Sequence, residues 1–383
     1  MIARLTSSLV VATLALALAA CGDSDPPATP DGPTQVDAAV DAPLPIDGPP
    51  IDSAVVCMAE ATDYTPRDSN SANDMYPACV SDAEPDRYVQ IGASVSTVAR
   101  IAAFEQIAAK LFIAGAPSNQ DFIDARLQYV IDNGLESRVS RREDEHFPAA
   151  PAACNTLTAE QLAMYPDRCV GPVTLQPEIQ AAFMVGSTSA DARERRLAAA
   201  RIEAYLLWFL YTSVHKEATT CKAAPADCDS HWAYYTGGEG RTGGLGWARY
   251  VRALEPATHD RIFDGILAVR CWRGLDDPAM AGDDAMYDAL RTRALAQLDR
   301  AELRGIVVIL KQRLTRLDTQ TGVDAEVTWE LVRSLGPVLN RAADAQGGAE
   351  ATAWKTEIAK PGVPDQAARD RMHHALDVLF PCP

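Results

Sequence analysis

The chain has 383 residues, of which 48% are hydrophobic, 23% charged and 7% aromatic. That composition fits a folded globular body and excludes collagen, a continuous coiled coil and wholesale disorder. Its 35 Lys and Arg against 52 Asp and Glu give a net charge of -17, which repels phosphate backbones and anionic lipid, so no nucleic acid partner is expected.

In chain order, Arg4 precedes an uncharged run from Leu5 to Ala20. A positive start followed by a short apolar run is a secretory signal layout, and the run is shorter than the roughly 20 residues that span a bilayer. Leu18-Ala19-Ala20-Cys21 resembles the lipobox of bacterial lipoproteins. That resemblance implies cleavage before Cys21 and acylation of its thiol, and several acyl chains on one residue give stable anchoring. In that group Gly22, rather than Asp, after the cysteine implies the outer membrane. The expected partner is therefore a membrane, reached through lipid on Cys21, and the expected address is the cell envelope.

Residues 1–20 thus read as a lipoprotein signal peptide and 21–56 as a tether. Between 22 and 56 stand eight prolines and seven aspartates, with no Lys, Arg, Glu or aromatic residue. Such a segment cannot bury a core, and proline stiffness and charge repulsion extend it.

Nine cysteines occur, at 21, 57, 79, 154, 169, 221, 228, 271 and 382. Setting aside Cys21 leaves an even number in an exported chain, which favours disulfides. The expected local pairing is Cys57 with Cys79, Cys154 with Cys169, Cys221 with Cys228, and Cys271 with Cys382. A zinc site from Cys221, Cys228 and His231 lacks its second pair of ligands, and CxxC is absent. No metal and no cofactor is expected.

The body, 57–383, reads as all-α, one helical bundle or two fused, with disulfide-held loops. Apolar residues at three- and four-residue steps predict helices over 94–114, 118–133, 188–218, 258–272, 283–318, 323–345 and 364–380. Ser118 suits an N-cap, and Asn133-Gly134 a stop. Ala204 to Tyr211 is apolar throughout, which marks the central helix of a bundle. Segments 136–186 and 219–247, rich in Cys, Pro and Gly, read as long connections.

Within 228–247 four aromatics and six glycines are crowded together. They form either a flexible connection or a ligand loop, since glycines let backbone approach a ligand closely. A short bridge from Cys221 to Cys228 turns the chain back. It would return His231 and Trp232 to Trp208, Tyr211 and His215, and those five residues are the expected ligand pocket, with 237–246 as its cover. Other groups have plain readings. Asp68 to Asp74 is a solvated turn lacking the features of a calcium loop. His373-His374 with Asp377 is too little for a metal. The stripe Arg293, Arg300, Arg304 and Lys311 is a solvated face that can pair with acidic neighbours, with an anion site as the alternative. GxSxG and HExxH are absent, so no catalytic residue is assigned.

The apolar helix ending in Ser213-Val214-His215-Lys216-Glu217, followed by Ser230-His231-Trp232 and a Gly-rich turn, resembles the imelysin-like family of envelope proteins. That family's GxHxxE is not reproduced, since Ser stands at 213 and Glu217 falls two residues after His215. The expected function is a lipid-anchored, non-catalytic binding protein for an unknown small ligand, peptide or envelope partner. The resemblance supplies the second reading, an envelope hydrolase or metal-dependent enzyme using His215, Glu217 and His231. A structural envelope component is the third.

Overall fold

Every regular element is helical in the computed structural model, which describes residues 59–64, 87–113, 115–275 and 284–382. Cys21, the signal and tether segments, Cys57, Cys79 and the run from Asp68 to Asp74 lie outside those residues. In chain order the helices are α1 (Thr97–Leu111), α2 (Asn119–Val130), α3 (Glu136–Val139), α4 (Ala159–Leu162), α5 (Gln176–Thr188), α6 (Ala192–Thr220), α7 (Pro225–Thr236) and α8 (Trp247–Leu254). They continue with α9 (Pro256–Leu275), α10 (Asp284–Arg316), α11 (Gly322–Leu335), α12 (Asn340–Gln346), α13 (Gly348–Ile358) and α14 (Gln366–Leu379). The class is all-α, as the periodicity predicts. No described helix is long and apolar enough to cross a membrane.

Local sequence explains the helix ends. Ser118 caps α2 in a reciprocal capping box with Asp121, each side chain bonded to the other's backbone N–H. Asp191 caps α6 by accepting from the Arg193 N–H at 2.8 Å, and Asp365 caps α14 by accepting from the Ala368 N–H. Gly237, with φ +71°, closes α7 in the left-handed region, where a side chain would be strained.

The two longest helices carry the core. The 29 residues of α6 extend ~44 Å, and between Leu197 and Ala218 all but Arg201, Tyr205, Trp208 and Lys216 are buried. Helices α5, α7 and α11 pack along it, while α9 and α11 flank α10. Where α9 meets α10 the backbones touch, since a Cβ at Gly265 would lie 2.8 Å from the Leu298 Cα. One hydrophobic cluster runs from Tyr64 to Phe380. At ~25 cal/mol per Å² of apolar surface removed from water, such a cluster is the main force holding the helices together.

Several expectations need correction. The stretches 136–186 and 219–247 are not long connections, for they contain α3, α4, a π-helical turn at Gly171–Leu175, α5 and α7. Proline misleads there. Pro177 and Pro225 stand in the first turns of α5 and α7, where the missing N–H has no intrahelical partner to lose. The predicted helix over 323–345 breaks at Gly336-Pro337 into a 3-10 turn, Gly336–Leu339, because Pro337 has no N–H for the ladder. The charged stripe on α10 pairs with acidic neighbours but is solvated only at its Arg293 and Arg300 end. Arg304 is almost fully buried against Glu255 and the Phe380 carbonyl, Lys311 pairs with Asp377, and Arg300 pairs with Asp63 at 2.6 Å.

Two bridges join pairs of described cysteines, Cys154–Cys169 and Cys221–Cys228. Cys271 and Cys382 are also disulfide-bonded, but not to each other. The Cys382 sulfur lies 4.0 Å from Thr258 Oγ1, whereas Cys271 stands thirteen residues farther along α9, ~20 Å away on an ideal helix. A bridge tolerates at most ~6.8 Å between Cα atoms. The expected pairing of these two is therefore corrected.

Candidate functional site

Tyr211 and His215 face inward from α6, one turn apart, while Asp299 and Glu302 share a face of α10 at a three-residue spacing. Asp144 and His146 complete the cluster from the irregular segment between α3 and α4. His146 Nδ1 lies 2.6 Å from Asp144 Oδ1, and its Nε2 lies 2.9 Å from Asp299 Oδ1. Its ring stacks on that of His215 with centroids 3.6 Å apart, and on Tyr211 at 5.7 Å. Tyr211 OH donates to Asp299 at 3.4 Å, and the Arg341 guanidinium reaches the same carboxylate at 3.3 Å.

An irregular segment holds these positions because Arg168 ties it down. Its guanidinium donates to Glu143 at 2.8 Å, to Glu145 at 2.7 Å and to the Asp144 and Phe147 carbonyls, while its own carbonyl accepts from the Asp144 N–H. The Gly171 N–H donates to the Arg142 carbonyl at 2.9 Å. Arg142 in turn donates to Glu217 Oε1 at 3.0 Å and lies over the Tyr234 ring. The segment is thus fixed on both sides.

Burial and neighbours set the protonation states. Burial opposes charge on His146, but its hydrogen bonds to Asp144 and Asp299 outweigh burial and raise its pKa. Burial, reinforced by the neighbouring His146, pushes His215 down to about 3, so it is neutral. For Asp299 burial is overcome by the His146 hydrogen bond and charge, which hold the carboxyl well below its usual range. Glu302, fully buried and facing Asp299 and Asp144, is pushed well above the usual carboxylate range.

The outer side of this cluster meets a cleft of about 260 Å³, lined among others by Asp144, Phe147, Asp167, Trp208, Arg341 and Asp344. Asp144 and Arg341 belong to both, so the cleft floor is continuous with the buried histidines.

Of the five expected pocket residues, Tyr211 and His215 are in the cluster and Trp208 lines the cleft. His231 and Trp232 turn elsewhere. Trp232 stacks on Tyr88 at 4.6 Å, and His231 packs edge-on against the same ring, fully buried. The glycine segment lies on α1 and α9: the Gly246 N–H donates to Glu105, His259 Nε2 meets the Arg241 carbonyl at 2.7 Å, and a Cβ at Gly237 would crowd Leu245 and Ile101. Glu217 is occupied by Arg142, and Cys221 and Cys228 are bonded to each other rather than available to zinc.

Asp144, His146, Asp299, Glu302 and Arg341 were missed by sequence reasoning. Two signals pointed to them. Glu302 stands four residues from both Leu298 and Ile306 on the apolar face of α10, and a carboxylate in core register asks for a partner. Asp144 and His146, two apart in a segment flanked by Cys154, form the other.

Chemically the cluster offers few routes to hydrolysis. Both His146 nitrogens are engaged by carboxylates, and the hydroxyl beside His215 is Thr219, at 3.5 Å from Nε2. His146, His215 and Asp299 each present one donor atom within 4.8 Å of the others, so they can hold a cation as well as share protons. Comparison with known protein families, curated proteins and solved structures finds no match.

Proposed function

We infer that this chain is a lipid-anchored helical binding protein of the cell envelope that takes a small, positively charged ligand in the cleft beside Trp208. The observation that carries the reading is the lining: two aromatic rings, Trp208 and Phe147, with Asp167 and the carboxylates of Asp144 and Asp344, which also hold His146 and Lys355, against one guanidinium, Arg341. An aromatic face attracts a cation, and carboxylates around it add selectivity. Aligned charge of this sign repels anionic ligands. Support for the address comes from the Leu18 to Cys21 sequence, the Pro- and Asp-rich tether, and disulfides of the kind that persist in oxidising compartments.

The full chain is titrated by calorimetry with choline, lysine and spermidine, alongside Trp208→Ala. At least one probe should bind the parent and lose about tenfold or more in the variant, since a desolvated cation–π contact contributes ~2 kcal/mol. In the same cells Cys21→Ser should release the protein from membranes. Failure of every probe, or binding indifferent to Trp208, refutes the cleft assignment, and a membrane-bound Cys21→Ser refutes the anchor.

A further inference from the structure

A network of shared protons accounts for only half of the buried cluster. Asp144, His146 and Asp299 satisfy one another, with Tyr211 and Arg341 closing the outer side. Beyond them, Glu302 is fully buried and neither of its carboxylate oxygens has a hydrogen-bond partner. His215 Nδ1, 3.9 Å from Glu302 Oε2, is equally buried and equally without one. Unpartnered polar atoms in a protein interior are strongly disfavoured, and here three of them face one another across His215, which itself belongs with His146 and Asp299 to a set of donors within 4.8 Å of one another.

We propose that His146, His215, Asp299 and Glu302 form a binding site for one divalent transition-metal cation. Sequence led to no expectation of a metal, and the ligand set suggested by the family resemblance, with Glu217 and His231, is not the one assembled. A cation bonded to His146 Nε2, His215 Nδ1 and the two carboxylates would satisfy every orphaned atom at once. The remaining ring nitrogens are already oriented as metal-bound histidines require. His146 Nδ1 is held by Asp144 at 2.6 Å, and His215 Nε2 faces Thr219 Oγ1 at 3.5 Å. Two imidazoles with two carboxylates suit zinc and its first-row neighbours rather than calcium or magnesium, which prefer all-oxygen shells. Binding both rings to one cation requires the 3.6 Å histidine stack to splay, turning ring edges rather than faces toward each other. The site lies beneath the cleft but does not rest on the organic-cation reading of that cleft.

The full chain, stripped with chelator and dialysed, is titrated with Zn²⁺, and with Co²⁺ as a spectroscopic probe. One equivalent of Zn²⁺ should bind per chain, and Co²⁺ should develop the visible bands of nitrogen and oxygen coordination. Glu302→Gln and His215→Asn should each weaken Zn²⁺ binding by more than about 100-fold, beyond the loss typical of an outer-shell partner. His374→Asn, at an exposed histidine, should bind like the parent. If the buried substitutions prevent folding, the parent decides: excess Zn²⁺ must raise its thermal midpoint. No stoichiometric uptake, uptake unaltered by both variants, or an unmoved parent midpoint overturns the site. Zn²⁺ uptake that persists in Trp208→Ala while choline, lysine or spermidine binding is lost separates this site from the cleft.

Discussion

Gly171→Ala tests whether the segment bearing Asp144 and His146 is held as tightly as its contacts imply. A Cβ at Gly171 would overlap the Val139 carbonyl and the Arg142 N–H, and would stand 2.7 Å from the Arg142 carbonyl oxygen, where contacts under 3.0 Å are essentially never seen. All three are backbone atoms, so no side-chain rotation relieves the overlap. Overpacking of this kind costs ~1–3 kcal/mol, and separating the chains loses the Gly171 to Arg142 hydrogen bond, about 1 kcal/mol more. Reduced freedom of the unfolded chain returns ~0.4–1 kcal/mol. The net is about 1–3.5 kcal/mol, a fall in thermal midpoint of roughly 2–6 °C for a body of this size. Two controls calibrate the melt followed by circular dichroism. Gly362→Ala meets open space and should be neutral, and Gly347→Ala meets open space but at φ +70° and ψ -163°, a region essentially reserved for glycine, so it should lose ~1–3 kcal/mol to backbone strain alone. A Gly171→Ala midpoint no lower than that of Gly362→Ala would refute the reasoning.

The remaining predictions concern pH and oxidation. Burial lowers the pKa of His231 to about 4, so the unfolded chain binds its proton first; stability from this residue is full above pH ~6.5 and falls as pH drops toward 4, by on the order of 3 kcal/mol. Urea midpoints at pH 7 and 4.5 should therefore converge in His231→Phe relative to the parent, and an unchanged gap counts against it. The Cys221–Cys228 bridge closes a loop seven residues apart in sequence, worth ~2.5 kcal/mol in the chain-entropy account. Replacing both by Ser should lower stability by that order. Peptide mapping without reduction should find Cys271 and Cys382 in separate cross-linked peptides, and a fragment joining the two would show that the path of α9 is wrong.

Much of the scaffold was legible and little of the site was. The apolar run Ala204 to Tyr211 announced the buried helix, and Ser118 announced the cap of α2, because burial periodicity and capping are local codes. The segment from Arg141 to Glu145 was not legible for the opposite reason. Five consecutive charges look solvated, but the arginine that pairs with Glu143 and Glu145 and fixes Asp144, Arg168, is more than twenty residues away and has no periodic signature. His231 was drawn into the expected pocket by chain reversal at Cys221–Cys228. The reversal is present, but the helical phase of α7 rotates His231 onto Tyr88. Tertiary pairing of charges, unlike amphipathicity, leaves no repeat to read.

The Cys154–Cys169 bridge adjoins Arg168, the residue on which Asp144 and His146 depend for their placement. In a reducing compartment this crosslink is open, and its closure restricts a loop whose entropic restraint is ~3 kcal/mol. Helices α6 and α10 can then already present Tyr211, His215, Asp299 and Glu302, while the fifth and sixth participants hang on an unfastened strap. Competence is in that sense time-stamped. On the proposed export route, a newly made chain would acquire its full constellation only on reaching an oxidising space, and the proposed cation site would not form at its place of synthesis.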